Sequence, residues 1–522
     1  VARRSAQRGG GTMNGGGTMN GGTTSGGRGN AGGARLGNGK DNGNGSRPGS
    51  GSRAASTRIS PARLVAVDVL EAVRADEAYA NLLLPTRIRR AGLSRADAAF
   101  ATELTYGTLR MQGFYDRVIE LAANRPAEAV DPAVLDVLRL GAHQLLATRV
   151  ATHAAVNEQV ELARRVAPKA AGFANAVLRT ISRTSPEEWR ELVAEGTSGE
   201  DARLAAVTSH PEWIVRALRT ALEHEGRGDE LEALLHADNA SPRVNLAVLP
   251  GLGVDTTGID GFEPDRFSPI GAVAGDPIAA AEASGGRIRV QDEGSQLAAL
   301  ALSRAVPVRP GERWLDLCAG PGGKTAVLAA EALAGGARLS ANETVPVRAE
   351  LVRSAIAGVP LDVDVHVGDG RDLDLDVLGA PDGFDRILLD APCTGLGALR
   401  RRPEARWRKA PADVAELTKL QGELFDSAFA ALAPGGILAY VTCSPHTAET
   451  HGVLAAALRR AGSIAEQLDT RLVVEGLSQH PLDLAGAPET VQLWPHRHGT
   501  DAMFIALVRK RQGGASAAGA AR

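Results

Sequence analysis

From about Gly311 onward the chain alternates short apolar runs with Gly-rich or acidic turns and then helix-like stretches. No other feature limits the fold as much. Trp314-Leu315-Asp316-Leu317 reads as a short buried strand, followed by a Gly-rich turn and a helix over 325–334. Further strands are predicted at 339–341, 363–367, 387–389 and 437–442, with helices between them. Strands that alternate with helices make a parallel sheet covered on both faces. In such sheets ligands sit in the crevice beyond the carboxyl ends of the strands. The sequence therefore predicts an α/β, Rossmann-like domain over 287–511 with a site along one edge.

The upstream half has a different texture. Residues 58–185 carry helical periodicity with few breakers, opening on Ser60-Pro61 as an N-cap and first-turn pair. Val65, Val67, Val69, Leu70 and Val73 mark one apolar face. Leu135, Leu138, Leu140, Leu145 and Leu146 mark a second, and Phe173, Val177, Leu178 and Ile181 a third. An all-helical domain is expected there. Residues 186–286 are mixed and read as a small α+β connecting region, with strand candidates at 244–248 and 288–291. Residues 1–57 are dominated by Gly, Ser, Asn and Arg and are expected to form a disordered tail. That tail is either a weak electrostatic arm for RNA or an inert extension. Residues 512–522 read as a short disordered tail.

Composition narrows the function. The net charge of −3 over 522 residues argues against coating nucleic acid by charge alone, while leaving room for a local basic face. Three cysteines exclude a disulfide scaffold, and no signal-type stretch or membrane-length apolar run is visible. A cytoplasmic protein, monomeric and without a membrane partner, is expected.

The chemistry-bearing residues gather at the predicted strand ends. Asp316-Leu317-Cys318-Ala319-Gly320-Pro321-Gly322-Gly323-Lys324-Thr325 spans the first strand-to-helix turn, where glycines let a ligand approach the backbone. Glu343, Asp369 and Asp390 follow the next three strands, and an acid at such a position can hold ribose hydroxyls. All three cysteines, Cys318, Cys393 and Cys443, also fall at strand ends. Cys318 fits a small buried apolar filler as well as a ligand contact. Cys393 (in Asp390-Ala391-Pro392-Cys393-Thr394) and Cys443 (in Thr442-Cys443-Ser444-Pro445) lie in adjacent Pro-bounded loops. Two thiols placed so suggest paired thiol chemistry. Their spacing matches no zinc pattern, so no metal is expected. The basic run Arg400, Arg401, Arg402, Arg406, Trp407 and Arg408 reads as an RNA-backbone clamp with an aromatic stacking platform, or else as a solvated Arg-rich loop.

With these motifs in view, the catalytic half resembles the RNA 5-methylcytosine methyltransferases. Val290-Gln291-Asp292-Glu293-Gly294-Ser295-Gln296 resembles that family's lead-in, and His496–Asp501 its closing motif. Phe100–Gly107 and Gly172–Arg179 resemble NusB. A NusB-like domain ahead of this methyltransferase is the arrangement of the bacterial RsmB (Fmu/Sun) family. The resemblance implies S-adenosylmethionine as cofactor, contacted by Cys318, Ala319, Gly320, Pro321, Gly322, Gly323, Lys324, Glu343, Asp369 and Asp390. It implies Cys443 as the nucleophile on a cytosine, Cys393 as the residue that assists release, and Asp390 as a contact to the base. The implied partner is RNA, 16S rRNA or a preribosomal particle. The same chemistry on tRNA, or a non-catalytic NusB-type assembly factor, stays open at this point.

Overall fold

The computed structural model describes residues 59–512. The tails expected at 1–57 and 512–522 lie outside the described residues, Gln512 excepted. Helices α1 (Pro61–Ala75), α2 (Ala80–Ala91), α3 (Arg95–Arg110), α4 (Gln112–Ala123), α5 (Pro132–Ala147), α6 (Thr152–Val166) and α7 (Ala171–Ile181) share one apolar core. All three apolar faces anticipated from the periodicity point into it. Pro61 occupies the first helical position, where its missing N–H costs nothing. The Ser60 side chain does not cap; its hydroxyl accepts from Arg63 at 2.9 Å and its amide donates to Glu158 at 2.8 Å.

The helical packing continues past residue 185. Helix α8 (Pro186–Glu195) buries Trp189 and Val193 in the same core, and the Trp189 indole donates to the Ile181 carbonyl at 3.1 Å. Helices α9 (Glu200–Thr208), α10 (Glu212–His224) and α11 (Leu231–Asn239) form a second apolar cluster with Leu396, Leu399 and Trp494 from the catalytic half. Strands β1 (Leu246–Val248), β2 (Glu263–Pro264), β3 (Gly271–Val273) and β4 (Ile288–Val290) then form a four-stranded antiparallel sheet, order β2-β3-β1-β4. The connecting region is thus helices followed by a sheet, and its last strand lies beyond 286, because Val290 pairs with Leu246. Helix α12 (Pro277–Ala283) precedes that strand.

The large sheet contains β5 (Arg313–Asp316), β6 (Arg338–Glu343), β7 (Val363–Val367), β8 (Phe384–Asp390), β9 (Leu432–Thr442), β10 (Ala465–Gln467), β11 (Thr490–Gln492) and β12 (Phe504–Lys510). Its order is β10-β12-β9-β8-β5-β6-β7, with β11 paired to β12. Strands β5 to β9 run parallel, as the alternation predicts. The all-parallel expectation is corrected at one side, where β12 lies antiparallel to β9, and β10 and β11 lie antiparallel to β12. An uninterrupted apolar run such as 502–508 shows neither its partner nor its direction. Alternate residues serve two cores. Leu388, Ala439, Val441, Ile505 and Leu507 face α13 (Glu293–Ser303) and α14 (Gly323–Gly335), beyond which lies α15 (Pro346–Ile356). Ile387, Leu389, Leu438, Tyr440 and Phe504 face the opposite core, with Phe425 and Phe429 of α17 (Pro411–Ala430). Among the described residues no helix is long and apolar enough to cross a membrane.

In the basic run after Cys393, expected as an RNA clamp, Arg400, Arg401, Arg406 and Arg408 instead bond within the protein at the joint between the halves, while Arg402 and Trp407 stay exposed. Arg406, in the short helix α16 (Ala405–Arg408), is 0% exposed. It donates to the carbonyls of Arg110 (3.1 Å), Ser209 (2.9 Å) and Asp238 (3.3 Å) and to Asn239 Oδ1 (2.8 Å). Arg408 donates to the Val73 and Ala78 carbonyls at 2.9 and 2.7 Å. Arg400 and Arg401 both pair with Asp292 and Asp501. These carbonyls end helices or turns, and a guanidinium with its fixed fork of donors satisfies several at once. Burial lowers the Arg406 guanidinium to about 10. Arg406→Ala strands buried acceptors at about 1–3 kcal/mol each. The variant is expected to lose roughly 3–5 kcal/mol, as for one partner removed from a buried charged network. Urea unfolding followed by circular dichroism checks this, and an unchanged midpoint would contradict the role.

Candidate active site

Each strand of the parallel set ends where chemistry is needed. Beyond β5 the chain turns through Cys318–Gly322 into α14, whose N-cap is Gly322 at φ 102°, with no side-chain cap. A Cβ at Gly322 would meet Ala355 Cβ at 2.5 Å, and one at Gly320 would lie 2.3 Å from Glu343 Oε2. Only glycine permits this close turn, and it leaves the first amides of α14 facing outward along the helix axis. The buried Asp316 accepts from the Thr325 hydroxyl at 2.7 Å, while its Oδ1 has no partner among the described residues. Burial pushes Asp316 up to about 7.

The acids differ in setting. Glu343 is buried and accepts from the Gly320 and Val345 amides, each at 3.0 Å, with Arg348 alongside. Asp369 is exposed and held at about 2 by hydrogen bonds from the Arg371 side chain and amide. Asp390 pairs with Lys324 at 2.8 Å. Burial works against the Lys324 charge, but Asp390 outweighs it and raises the ammonium above its usual range. Cys318 packs at the edge of the core under this turn, and burial pushes its thiol up.

Two sulfurs meet beside that ion pair. Cys393 follows β8, Cys443 follows β9, and their Sγ atoms lie 3.5 Å apart. The pair is electrostatically unequal. The hydrogen bond between them lowers Cys443, helped by Lys324 and Arg402 against burial and Asp390. The same hydrogen bond raises Cys393, and burial, the Cys443 charge, Glu449 and Asp390 raise it further. A lowered thiol beside a cation is a nucleophile in waiting. The cysteine loops are also tied together. The Gly397 amide donates to the Cys443 carbonyl at 2.9 Å, and the Ala502 amide donates to the Gly397 carbonyl at 2.9 Å. A Cβ at Gly397 would sit 2.1 Å from the Ala502 carbonyl oxygen, so this crossing requires glycine. Ala502, directly after the closing motif, thus ties it to the site, while the motif's His496 and Arg497 bind Glu230 between α10 and α11.

The structure therefore brings together the Gly-rich turn, Lys324, Asp390, Cys393 and Cys443, and places Glu343 and Asp369 at the next strand ends. Of the basic run, Arg402 alone is exposed with its guanidinium bonded to no described residue, and it lies close enough to act on Cys443. Trp407 is 38% exposed, with its ring seated where a Cβ of Gly113 would be. The arrangement fits S-adenosylmethionine. Acids at successive strand ends can take ammonium and ribose hydroxyls, the unpartnered Asp316 oxygen is an acceptor awaiting a donor, and the glycine turn admits a ligand against the backbone. Sequence reasoning missed Gln421 and the anchoring parts of Thr394 and Ser444. Nothing in the sequence singles out Gln421 from the other polar residues of α17.

This fold and site define a Rossmann-like methyltransferase carrying a NusB-type helical domain. Residues 304–509 match the model of the 16S rRNA methyltransferase RsmB/F family, and residues 60–183 that of the NusB family. The chain belongs to the RsmB/F family and is an S-adenosylmethionine-dependent RNA methyltransferase. Rv1407 of Mycobacterium tuberculosis is 50% identical over 463 residues, covering 87% of this chain and 97% of the relative. Ribosomal RNA small subunit methyltransferase B of Pseudomonas putida is 34% identical over 463 residues, covering 86% and 98%. The crystal structure of PH0851 shares the fold, with a TM-score of 0.69 at 24% identity over 87% of this chain and 100% of that one.

Proposed function

We infer that the protein methylates carbon 5 of a cytidine in 16S rRNA through a covalent bond between Cys443 and carbon 6 of the base. The observation that carries this reading is the contact of two unequal thiols, 3.5 Å apart, beside the Lys324–Asp390 pair. Carbon 5 of cytosine is too weak a nucleophile alone. Addition of the Cys443 thiolate to carbon 6 pushes electrons onto carbon 5, which then reacts as an enamine. S-adenosylmethionine, held by Cys318–Lys324, Glu343, Asp369 and Asp390, supplies the electrophilic methyl. Cys393, once its own proton has passed to solvent, takes the carbon 5 proton, and the electrons of that C–H bond expel Cys443 as thiolate. Asp390, paired with Lys324, is a hydrogen-bond partner for the base edge. Arg402 supplies a cation for an RNA phosphate at the mouth, and Trp407 an aromatic face. The target base must leave its stack to meet these thiols.

The substrate assignment is supported by relatives named for the small-subunit ribosomal RNA and by the NusB-type domain. Bisulfite sequencing of total RNA from a strain lacking the protein, beside its parent, tests it. Loss of one 16S site is the expected result. Loss of a tRNA site instead would keep the chemistry and overturn the substrate, and no lost site would sink the reading.

A further inference from the structure

We propose that Glu449 is a positioning residue that clamps the Cys393 and Cys443 loops together and assigns the two sulfurs their different parts. The proposal rests on the two-thiol chemistry above. Glu449 is 0% exposed and lies in a single π-type turn, Ala448–Gly452, immediately after the Cys443 loop. Such turns insert a residue into a helix and recur at functional sites. Its carboxylate collects donors from three elements. The Thr394 amide and the Gln421 side-chain amide donate to Oε1 at 2.8 and 3.1 Å. The Thr394 hydroxyl and the Ser444 hydroxyl (2.6 Å) donate to Oε2. Thr394 directly follows Cys393, and Ser444 directly follows Cys443. One buried carboxylate thus holds the residue next to each sulfur. Gln421 of α17 also donates to the Pro392 carbonyl at 2.9 Å, and Tyr440 donates its hydroxyl to the Glu449 carbonyl at 2.6 Å, so the clamp is itself held.

The charge is placed unequally. The charged or ionisable groups facing the sulfur pair are Lys324 from α14, Asp390 from the end of β8, Arg402 from the basic loop, Tyr440 from β9 and Glu449. The cations act on Cys443, whereas on Cys393 the Glu449 charge adds to the hydrogen bond with Cys443, burial and the Cys443 charge, all of which hold it as a thiol. When two adjacent thiols compete to ionise, the pair loses one proton first, and its neighbours decide which sulfur bears the charge. The Glu449 charge, next to Thr394 and so on the Cys393 side, biases that choice toward Cys443.

Two substitutions separate the clamp from the charge. In Glu449→Gln the amide oxygen can still accept from Thr394 N–H and Gln421, and its NH2 can donate to the two hydroxyls, which turn round to accept. The loops stay tied and the charge is gone. Glu449→Ala removes both. The first readout is iodoacetamide labelling of the purified full chain across pH, with the Cys443-to-Cys393 ratio read by mass spectrometry. The second is kcat and KM for S-adenosylmethionine, with a 16S rRNA transcript as methyl acceptor. Glu449→Gln is expected to reduce the labelling ratio about tenfold, as for one pKa unit. It should lower kcat by a comparable factor while leaving the cofactor KM within about twofold, since the cofactor residues lie elsewhere. Glu449→Ala should lose more of both, and Glu449→Gln keeps the test valid if the alanine variant fails to fold. Unchanged labelling ratio and kcat in Glu449→Gln would overturn the proposal. An altered ratio in a protein whose wild type methylates no cytidine would uphold Glu449 as the clamp and sink the proposed reaction instead.

Discussion

Cys443→Ala is expected to abolish methyl transfer while the protein keeps its fold and its affinity for S-adenosylmethionine. The side chain is small and half-buried, so its removal leaves little cavity, and the strand register of β9 with β8 and β12 does not depend on it. The chemical cost is large. Without addition at carbon 6 the base offers no nucleophile, so kcat should fall by about ten-thousand-fold or more, equivalent to more than ~5 kcal/mol of barrier. Tritium transfer from labelled S-adenosylmethionine, alongside calorimetric cofactor binding, checks both halves of the expectation. Turnover within tenfold of wild type would sink the covalent mechanism. The wild-type pH profile belongs to the same test. The attacking form is the thiolate, so rate should rise with pH. It should level off below the ordinary thiol range, because Cys393, Lys324 and Arg402 hold Cys443 low against burial and Asp390. Lys324→Met should move that acid limb to higher pH.

Cys393→Ala is expected to stall the reaction after addition, with protein bound covalently to RNA. In the resting pair the hydrogen bond with Cys443 and the charge on that sulfur contribute to keeping Cys393 protonated. Once Cys443 is bonded to carbon 6 its charge is spent and two of the causes that hold the Cys393 proton are removed; that proton passes to solvent, and the Cys393 thiolate accepts the carbon 5 proton. Alanine cannot do so, and elimination of Cys443 has no base. A band of protein plus RNA should persist on a denaturing gel and disappear in the Cys393→Ala, Cys443→Ala double variant. General-base removal typically costs 10²–10⁴-fold, so multiple turnover should fall by about that factor. A Cys393→Ala enzyme with normal turnover and no adduct would assign the proton to another group.

Much of the site was legible because its elements are local. A strand that ends in an acid or a cysteine, followed by Gly or Pro, is written in consecutive residues. The β5, β8 and β9 ends and the glycine turn therefore stand where the sequence puts them. What escaped was non-local. The apolar run at 502–508 enters β12, which joins β9 antiparallel, and β4 pairs back to β1. Such pairings are set by packing of distant segments, and periodicity carries no record of them. The basic run misleads for the same reason. A string of arginines reads as a solvated or RNA-facing loop, yet Arg406 and Arg408 find their acceptors at Arg110, Ser209, Asp238, Val73 and Ala78. Charge is visible in a sequence, but the partner that neutralises or buries it is not.

By itself the sequence determined the alternation of strand and helix, the crevice at the strand ends, and which residues bring sulfur, acid and cation to it. These follow from short-range rules of backbone geometry and from side-chain chemistry. Only the tertiary structure decided that two cysteines fifty residues apart touch, that Glu449 binds the neighbour of each, and that Arg402 rather than Arg406 faces the site. Those outcomes depend on how the separate elements pack. The free energy of burying a charge or a thiol depends on everything around it, and that surrounding exists only once the chain has folded.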